Sequence, residues 1–314
     1  LPNIIMAGTK KCGTSAFKEF IKHHSKIIIS QENEPHFFDY YFHKGVKNYV
    51  EKFVGGDDLS KSLFEKSPNY LWEPIEKRHA RDQTNAPEKI LTTYEDFCGS
   101  KNCQDKLKIA IMVCNPSLRA YSDYVHDLSV VPVDEKSSKK SFLEMQKDMK
   151  SFGSFKDFVE ISTETLNQQM HFEKYLDKKP FGPVTRGLYG LQIKEWLNYF
   201  PLSQFIFIDG DELITNPGKI MVQFQKDMEL EIEITEKDFT RNGHFCWLPD
   251  WLRGAKSCGH FCFRGECLDK RKKGITRNGK GKSNMSDQAK IMLDNFYKSY
   301  NEEFFDLIFK KYDW

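Results

Sequence analysis

Apolar residues along this chain gather in short runs, and each run ends at a polar or glycine-containing turn. Such runs occupy residues 3–8, 26–30, 108–113 and 205–208. Short, nearly continuous apolar runs are typical of strands that are buried on both faces of a parallel sheet. Segments with helical apolar spacing occupy residues 14–23, 117–126, 187–199 and 287–300. The alternation predicts an α/β fold, a single domain with a central parallel sheet and helices on both faces.

Composition limits the kind of partner that the chain can bind. The 314 residues include 47 basic and 45 acidic side chains, for a formal net charge of +2, and 39% are hydrophobic. This content supports a packed core, and the balanced charge lacks the global positive excess of a nucleic-acid-binding protein. An anionic partner must therefore meet a local basic patch. The basic run of residues 270–273 with Arg277 either lines an acceptor groove or is a solvated face.

The start of the chain bears on its membrane attachment. No apolar run reaches the roughly 18–20 residues that a membrane span requires. Leu1 directly precedes a strand-like segment, so we expect a processing boundary from which an anchor or signal has been removed. Any membrane attachment is then expected only through an anchor absent from this sequence.

The eight cysteines suggest disulfides rather than a metal site. Four of them crowd residues 246–267, with spacings C-x11-C-x3-C-x4-C that match no zinc pattern well. Disulfides in turn favour a secretory-pathway protein. Cys98 and Cys103 are close enough in sequence to close a further local loop. No metal site is predicted.

The loop after the first strand has the character of a phosphate-binding loop. Gly8 and Gly13 have the spacing of the Walker A glycines, but Thr14 stands where that motif has its lysine. Backbone N–H groups and the helix N-terminus can still cradle an anion, and Lys11 can reach a group being transferred. The alternative is an ordinary glycine turn between strand and helix.

A group of acids, a histidine and aromatics follows the second strand. The segment runs Glu32-Asn33-Glu34-Pro35-His36-Phe37-Phe38-Asp39. The carboxyl ends of strands are where α/β sheets place chemistry, and a carboxylate near a bound anion can remove the proton of a hydroxyl. A solvated turn with its aromatics anchored in the core is the alternative.

These motifs carry a resemblance to a known family. The loop 8–15 resembles the 5′-phosphosulfate loop of sulfotransferases, and Glu34-Pro35-His36-Phe37-Phe38-Asp39 resembles a marked feature of heparan sulfate 3-O-sulfotransferases. Segments 64–70, 114–124, 185–196 and 280–282 and the terminal Tyr312-Asp313-Trp314 are also similar to that family. The resemblance implies one sulfotransferase domain over residues 1–314, with polar insertions at about 78–106 and 133–180 and a cysteine-rich loop at 246–267.

The resemblance implies catalytic roles for residues in three segments. Glu34 corresponds to the family's catalytic base, with His36 and Asp39 beside it. Lys11 and Lys66 would stabilise the charge that builds on the bridging oxygen as the S–O bond breaks. Residues implied to bind the acceptor are Lys66, Arg186 and Gln192.

The resemblance also implies how the donor, 3′-phosphoadenosine 5′-phosphosulfate (PAPS), is bound. Its 5′ side would contact Lys10, Lys11, Cys12, Gly13, Thr14 and Ser15. Its other phosphate contacts would come from Cys114, Ser122, Lys280, Gly281 and Lys282. By the same resemblance, Cys246 and Cys267 are the ends of a disulfide-closed loop, with Cys258 and Cys262 as an additional pair.

One position departs from the family pattern. Cys114 stands where the 3′-phosphate segment usually has an arginine, and a cysteine cannot make that bidentate charged contact. Arg119 or a lysine of residues 271–282 could compensate. The departure could equally mean weaker donor binding or a changed donor preference.

The expected activity is therefore in-line transfer of a sulfuryl group from PAPS to a glucosamine 3-hydroxyl of heparan sulfate, leaving 3′,5′-bisphosphoadenosine (PAP). The rivals are a different acceptor (N-, 2-O-, chondroitin or a small molecule), a nucleotide kinase, and a heparin-binding relative that has lost activity. We expect a monomer in the Golgi lumen, a type II membrane protein without its anchor here, or a secreted one. No nucleic-acid partner is expected.

Overall fold

The computed structural model describes residues 1–72, 85–98, 104–129, 136–168, 181–240, 262–263, 266–267 and 285–314. It divides the chain into two compact units. The first unit is Leu1–Leu71, Asn85–Val113 and Tyr199–Lys273, and the second unit is Trp72–Thr84, Cys114–Asn198 and Gly274–Trp314. The expectation of one continuous sulfotransferase domain over residues 1–314 stays a prediction.

The first unit contains a five-stranded, wholly parallel sheet. Its strands are β1 Ile4–Gly8, β2 Ile27–Ile29, β3 Ser62–Lys66, β4 Lys108–Val113 and β5 Phe205–Asp209. Their order is β2-β3-β1-β4-β5. This confirms the predicted α/β class with a parallel sheet flanked by helices, and the four predicted strands are present. The apolar pattern missed β3, because Glu65 and Lys66 interrupt its apolar run.

Helices accompany both units. In chain order they are α1 Thr14–Ile21, α2 Gly45–Val50, α3 Ala86–Cys98, α4 Pro116–Ser129, α5 Lys136–Ser151, α6 Phe155–Gln168, α7 Gly182–Thr185, α8 Tyr189–Trp196, α9 Gly210–Thr215, α10 Pro217–Asp227 and α11 Asp287–Ile308. None of the described helices is both long and apolar enough to cross a bilayer. A small antiparallel sheet consists of β6 Phe239–Thr240, β7 Cys262–Phe263 and β8 Glu266–Cys267.

Aromatic packing holds α1 against the sheet of the first unit. Phe17 and Phe20 are buried on the inner face of α1. The Phe17 ring lies 6.2 Å from Phe64 of β3 and 4.8 Å, edge-on, from Phe224 of α10. Burying each such side chain contributes roughly 1.5–3 kcal/mol. This packing sets the start of α1 beside the strand ends.

The second unit is helical and has its own core. Residues such as Tyr124, Phe158, Leu188 and Tyr297 are buried together there. The region 133–180 was interpreted from the sequence as a polar insertion. Two helices are present, and α6 buries Phe158 and Val159 completely. The polar composition concealed this because a helix needs only one apolar face to join a core.

Candidate active site

The loop between β1 and α1 is built for a close approach of backbone to ligand. A side chain at Gly8 would lie 2.6 Å from Leu71, so only glycine fits there. Gly13 and Lys11 have left-handed backbone angles, φ 104° and 75°. Such angles are rare for a non-glycine residue and occur where loops turn N–H groups inward. The loop leads directly into the N-terminus of α1, a helix of eight residues. The free N–H groups and the dipole at a helix N-terminus favour binding of an anion.

Lys66 connects three segments at the carboxyl edge of the sheet. It is the last residue of β3 and is fully buried. Its Nζ lies 2.6 Å from Glu34 Oε1 and 3.1 Å from Ser15 Oγ. Glu34 follows β2, and Ser15 is in the first turn of α1. The structure thus brings together the predicted base, the predicted catalytic lysine and one residue of the predicted phosphosulfate loop.

His36 lies between two carboxylates. Its Nε2 is 3.2 Å from Glu34 Oε2, and its Nδ1 is 2.8 Å from Asp39 Oδ2. Burial lowers the pKa of His36, but the hydrogen bonds to Asp39 and Glu34 outweigh it and raise that pKa to about 10. His36 is therefore an imidazolium at neutral pH. Its backbone is left-handed, φ 49°, and its N–H donates to Ser67 Oγ at 3.0 Å.

Glu34 is a carboxylate held by two cations. Burial raises its pKa, but the hydrogen bond from His36 and the charge of Lys66 lower it to about 2. A carboxylate in this state accepts a proton poorly. If the Lys66 ammonium turned toward a bound sulfuryl group, the Glu34 pKa would rise and the carboxylate would become a stronger base.

A buried cluster of hydroxyl side chains around Glu65 supports the segment 32–39, and the sequence did not reveal it. Glu65 precedes Lys66 on β3, so its side chain points to the opposite face of the sheet. It accepts hydrogen bonds from Ser67 Oγ and Tyr70 OH, both at 2.7 Å, and from Tyr49 OH. Tyr70 OH also accepts the backbone N–H of Phe38 at 3.1 Å. Burial raises the pKa of Glu65, because it disfavours the charged carboxylate. The hydrogen bonds from the three hydroxyl groups oppose this effect and satisfy the buried carboxyl oxygens.

Cys12 and Cys114 are both buried and disulfide-bonded. Both were predicted to contact the donor, and that role stays a prediction. The presence of a disulfide confirms that part of the prediction, but these two cysteines were not among the predicted pairs. A disulfide sulfur carries no charge, so Cys114 supplies none of the positive charge that an arginine would bring.

Arg186, predicted to bind the acceptor, and Arg119 lie together in a cluster of charged side chains in the second unit. Arg186 Nη1 is 2.9 Å from Asp123 Oδ2 and 3.2 Å from Asp127 Oδ2, and its guanidinium lies 4.5 Å over the Trp72 ring. Arg119, considered as a substitute cation, is fully buried and paired with Asp123 at 2.9 Å.

Gln192 and Ser122 are two further predicted contact residues in the second unit. Gln192 is buried and donates to the carbonyls of Thr185 and Arg186. Ser122 is half-buried on α4. The donor and acceptor roles given to these residues stay predictions.

Several predicted residues lie outside the described residues. These are Lys280, Gly281, Lys282, Cys103, Cys246 and Cys258. The backbone of Cys98 ends α3, and Cys262 pairs with Cys267 in the register of β7 and β8. Their predicted disulfide pairings stay predictions.

Comparison with known proteins bears out the resemblance to sulfotransferases. The family described as Sulfotransferase domain matches residues 1–246. Heparan sulfate glucosamine 3-O-sulfotransferase 3B1 of Mus musculus is 26% identical over 317 residues, covering 100% of this chain and 65% of that protein. Bifunctional heparan sulfate N-deacetylase/N-sulfotransferase 4 of Mus musculus is also 26% identical, covering 98% of this chain and 30% of that protein. The chain thus spans under two thirds of the length of these curated relatives.

A solved structure shares the fold. The crystal structure of a sulfotransferase from Alicyclobacillus acidocaldarius superposes with a TM-score of 0.57 at 18% identity. The match covers 99% of this chain and 97% of that one. At this identity the likeness shows the fold alone.

Proposed function

This chain belongs to the sulfotransferase family, and on that premise we propose that it transfers a sulfuryl group from PAPS to the glucosamine 3-hydroxyl of a heparan sulfate-like polysaccharide. One observation carries the proposal. Lys66 joins Glu34 to Ser15, so that a base, an ammonium group and the start of a phosphate-binding helix form one hydrogen-bonded group. This is the equipment that in-line transfer to a hydroxyl requires.

The residues present fit the anionic part of the donor. The loop 8–15 supplies two lysines, a helix N-terminus and glycines that permit close approach. Lys10 to Ser15 would hold the 5′ phosphosulfate, which supplies an activated sulfuryl group when bound. Ser122 and residues 280–282 remain the proposed contacts for the other phosphates.

Each charged residue then has a defined task. Glu34 takes the proton of the acceptor hydroxyl as its oxygen bonds to sulfur and the S–O bond to PAP breaks. Lys66, with Lys11, stabilises the negative charge left on the 5′-phosphate of PAP. The His36 imidazolium, held by Asp39, keeps Glu34 ionised and oriented until the proton moves.

Transfer of radiolabelled sulfate from PAPS to desulfated heparan sulfates tests the proposal. Disaccharide analysis of the product would show label at the 3-hydroxyl of glucosamine. Label at the amino group or at the 2-hydroxyl of uronate, or in chondroitin alone, would overturn the acceptor while leaving the reaction intact. No transfer to any acceptor would overturn the activity.

A second candidate is favoured by one observation. Disulfide-bonded Cys114 stands where the family has a donor-binding arginine, as expected of a heparin-binding relative that has lost activity. Titration calorimetry separates the two, because such a relative would bind heparan sulfate but not PAP. Micromolar binding of PAP would reject this candidate.

We also propose a lumenal location. Disulfides persist in oxidising compartments and are rare in the cytosol. With the heparan sulfate relatives, this supports the Golgi lumen or secretion. Fractionation of tagged full-length protein would test it, and a cytosolic pool with reduced Cys12 and Cys114 would contradict it.

A further inference from the structure

Lys18 is a buried lysine that sequence analysis did not single out. It lies in the middle of α1, between Phe17 and Glu19, and is only 5% exposed. Its Nζ donates to three main-chain carbonyls, those of Ser30 at 3.3 Å, Glu32 at 2.6 Å and Asn33 at 3.2 Å. All three belong to the segment that leads from β2 to Glu34.

The number of contacts matches the chemistry of an ammonium group. Lysine carries three N–H donors and no acceptor, and here each donor has one carbonyl. A neutral or apolar side chain of the same length could not satisfy all three carbonyls. A buried carbonyl left without a hydrogen-bond donor destabilises the fold.

The environment makes this charge expensive to keep. Burial and the charge of Lys66 lower the pKa of Lys18 to about 8, against the opposing charges of Glu19, Glu34 and Glu65. A helix position that only needed to fill space would be occupied more favourably by an apolar residue. The hydrogen bonds to the three carbonyls offset the cost of burying the Lys18 ammonium group.

Other contacts hold the ends of the same segment. Ser30 N–H donates to the Phe64 carbonyl at 3.2 Å, and Gln31 N–H donates to the Lys52 carbonyl at 2.9 Å. These contacts hold residues 30–31, and Lys52 Nζ also lies 2.7 Å from the Glu32 side chain, at Oε1. Lys18 supplies the contacts directly before Glu34.

We propose that Lys18 is a positioning residue, which holds the backbone before Glu34 so that this carboxylate reaches Lys66 and His36. The consequence for catalysis rests on the proposed function, whereas the placement of Glu34 does not. Misplacement of a reacting group by about 1 Å can cost about 100-fold in rate.

The test compares Lys18→Met with Lys22→Met. Methionine keeps the buried stem of Lys18 and removes its donors, and Lys22 is a partly exposed lysine of the next turn, paired with Glu19. The first readout is the pKa of His36, followed by NMR of its ring in the full chain. We expect a downward shift of about one unit or more in Lys18→Met, because His36 loses Glu34 as a partner.

The sign of this shift separates positioning from mere loss of charge. Removing a cation near His36 would by itself raise the His36 pKa. A downward shift therefore reports that Glu34 has moved. An unchanged or raised His36 pKa in folded Lys18→Met would overturn the proposal.

The second readout is kinetic. We expect kcat of Lys18→Met to fall about 10- to 100-fold, with the Kd for PAP changed less than about twofold and Lys22→Met like the wild type. If Lys18→Met does not fold, Lys18→Gln, which keeps two N–H donors, should show a smaller loss of the same kind. A wild type without transferase activity would reject the proposed function, and the NMR shift would still decide the role of Lys18.

Discussion

The two units of this protein each contain a cluster of charged side chains, and the two clusters differ in access to solvent. In the second unit, Arg119 and Asp123 are fully buried and Arg186 is 11% exposed. In the first unit, the side chains of Glu34 and His36 are 33% and 21% exposed. Distances between charged atoms are similar, 2.6–3.2 Å in the first cluster and 2.9–3.2 Å in the second.

Charge pairing alone does not mark a functional site. In the second unit, the Arg186 guanidinium bridges two carboxylates and its face covers the Trp72 ring. Its charge is therefore balanced by acids of its own unit. In the first unit, the Glu34 carboxylate is held by two cations but remains open on one side. The Glu34 and His36 side chains of the first cluster are thus more exposed than the charged side chains of the second, and the predicted acceptor role of Arg186 in the second cluster stays a prediction.

Glu34→Gln should have the largest effect. Removing the base is expected to lower kcat per folded molecule about 10²- to 10⁴-fold, while PAP binding stays near wild type. Transfer assays with PAPS and heparan sulfate would measure it. Glu32→Gln is the matched control, since that side chain is about half exposed and pairs with Lys52 at 2.7 Å. Equal activity in the two variants would remove Glu34 from catalysis.

Asp123→Asn should act on stability instead. It leaves two buried or nearly buried guanidinium groups short of a carboxylate, which costs about 3–5 kcal/mol of unfolding free energy. Urea unfolding would measure the loss, and Asp148→Asn, an exposed acid of the same unit, should stay within about 0.5 kcal/mol of wild type. If kcat per folded molecule fell 100-fold in Asp123→Asn, the second cluster would have to be counted as part of the site.

The unfolding free energy should depend on pH through His36. Its pKa is raised to about 10, so its contribution is complete below pH 6.5 and is lost as pH rises toward 10. The expected loss is on the order of a few kcal/mol. Urea unfolding at pH 6, 8 and 10 would measure it, with His36→Gln showing a weaker decline.

Lys18 has the opposite influence in this range. Its pKa is lowered to about 8, so its contribution increases as pH rises from about 8 toward its ordinary value. Both wild type and His36→Gln contain Lys18, so its contribution cancels when the unfolding free energies of the two proteins are subtracted at each pH. Parallel curves for the two proteins would mean that His36 has no raised pKa.

Tyr70→Phe should have the smallest effect and tests the support of the first cluster. It removes one donor to Glu65 and the acceptor of the Phe38 N–H, at a cost of roughly 1–3 kcal/mol. Thermal unfolding would detect it, and the exposed Tyr40→Phe serves as control. A stability change no larger than that of Tyr40→Phe would show that the Glu65 group does not hold this segment.

Much of the fold and part of the site followed from local patterns in the sequence. Continuous apolar runs identified β1, β2, β4 and β5, because a strand buried on both faces needs apolar residues at every position. The glycine loop and the segment Glu34 to Asp39 were recognisable for a similar reason. Their residues act within a few positions of one another, so spacing along the chain carries the information.

The tertiary structure decided the parts that depend on distant partners. The burial of Glu65 and Lys66 in β3 is explained by partners that are distant in the sequence. Tyr49 and Tyr70 donate to Glu65, and Lys66 donates to Glu34. Lys18 looks like a surface lysine on a short helix until the carbonyls after β2 meet it. That Cys12 and Cys114 are each disulfide-bonded could not be predicted from their spacing in the sequence either. A buried polar or charged group is tolerated only where partners satisfy it, and those partners come from segments that only folding brings together.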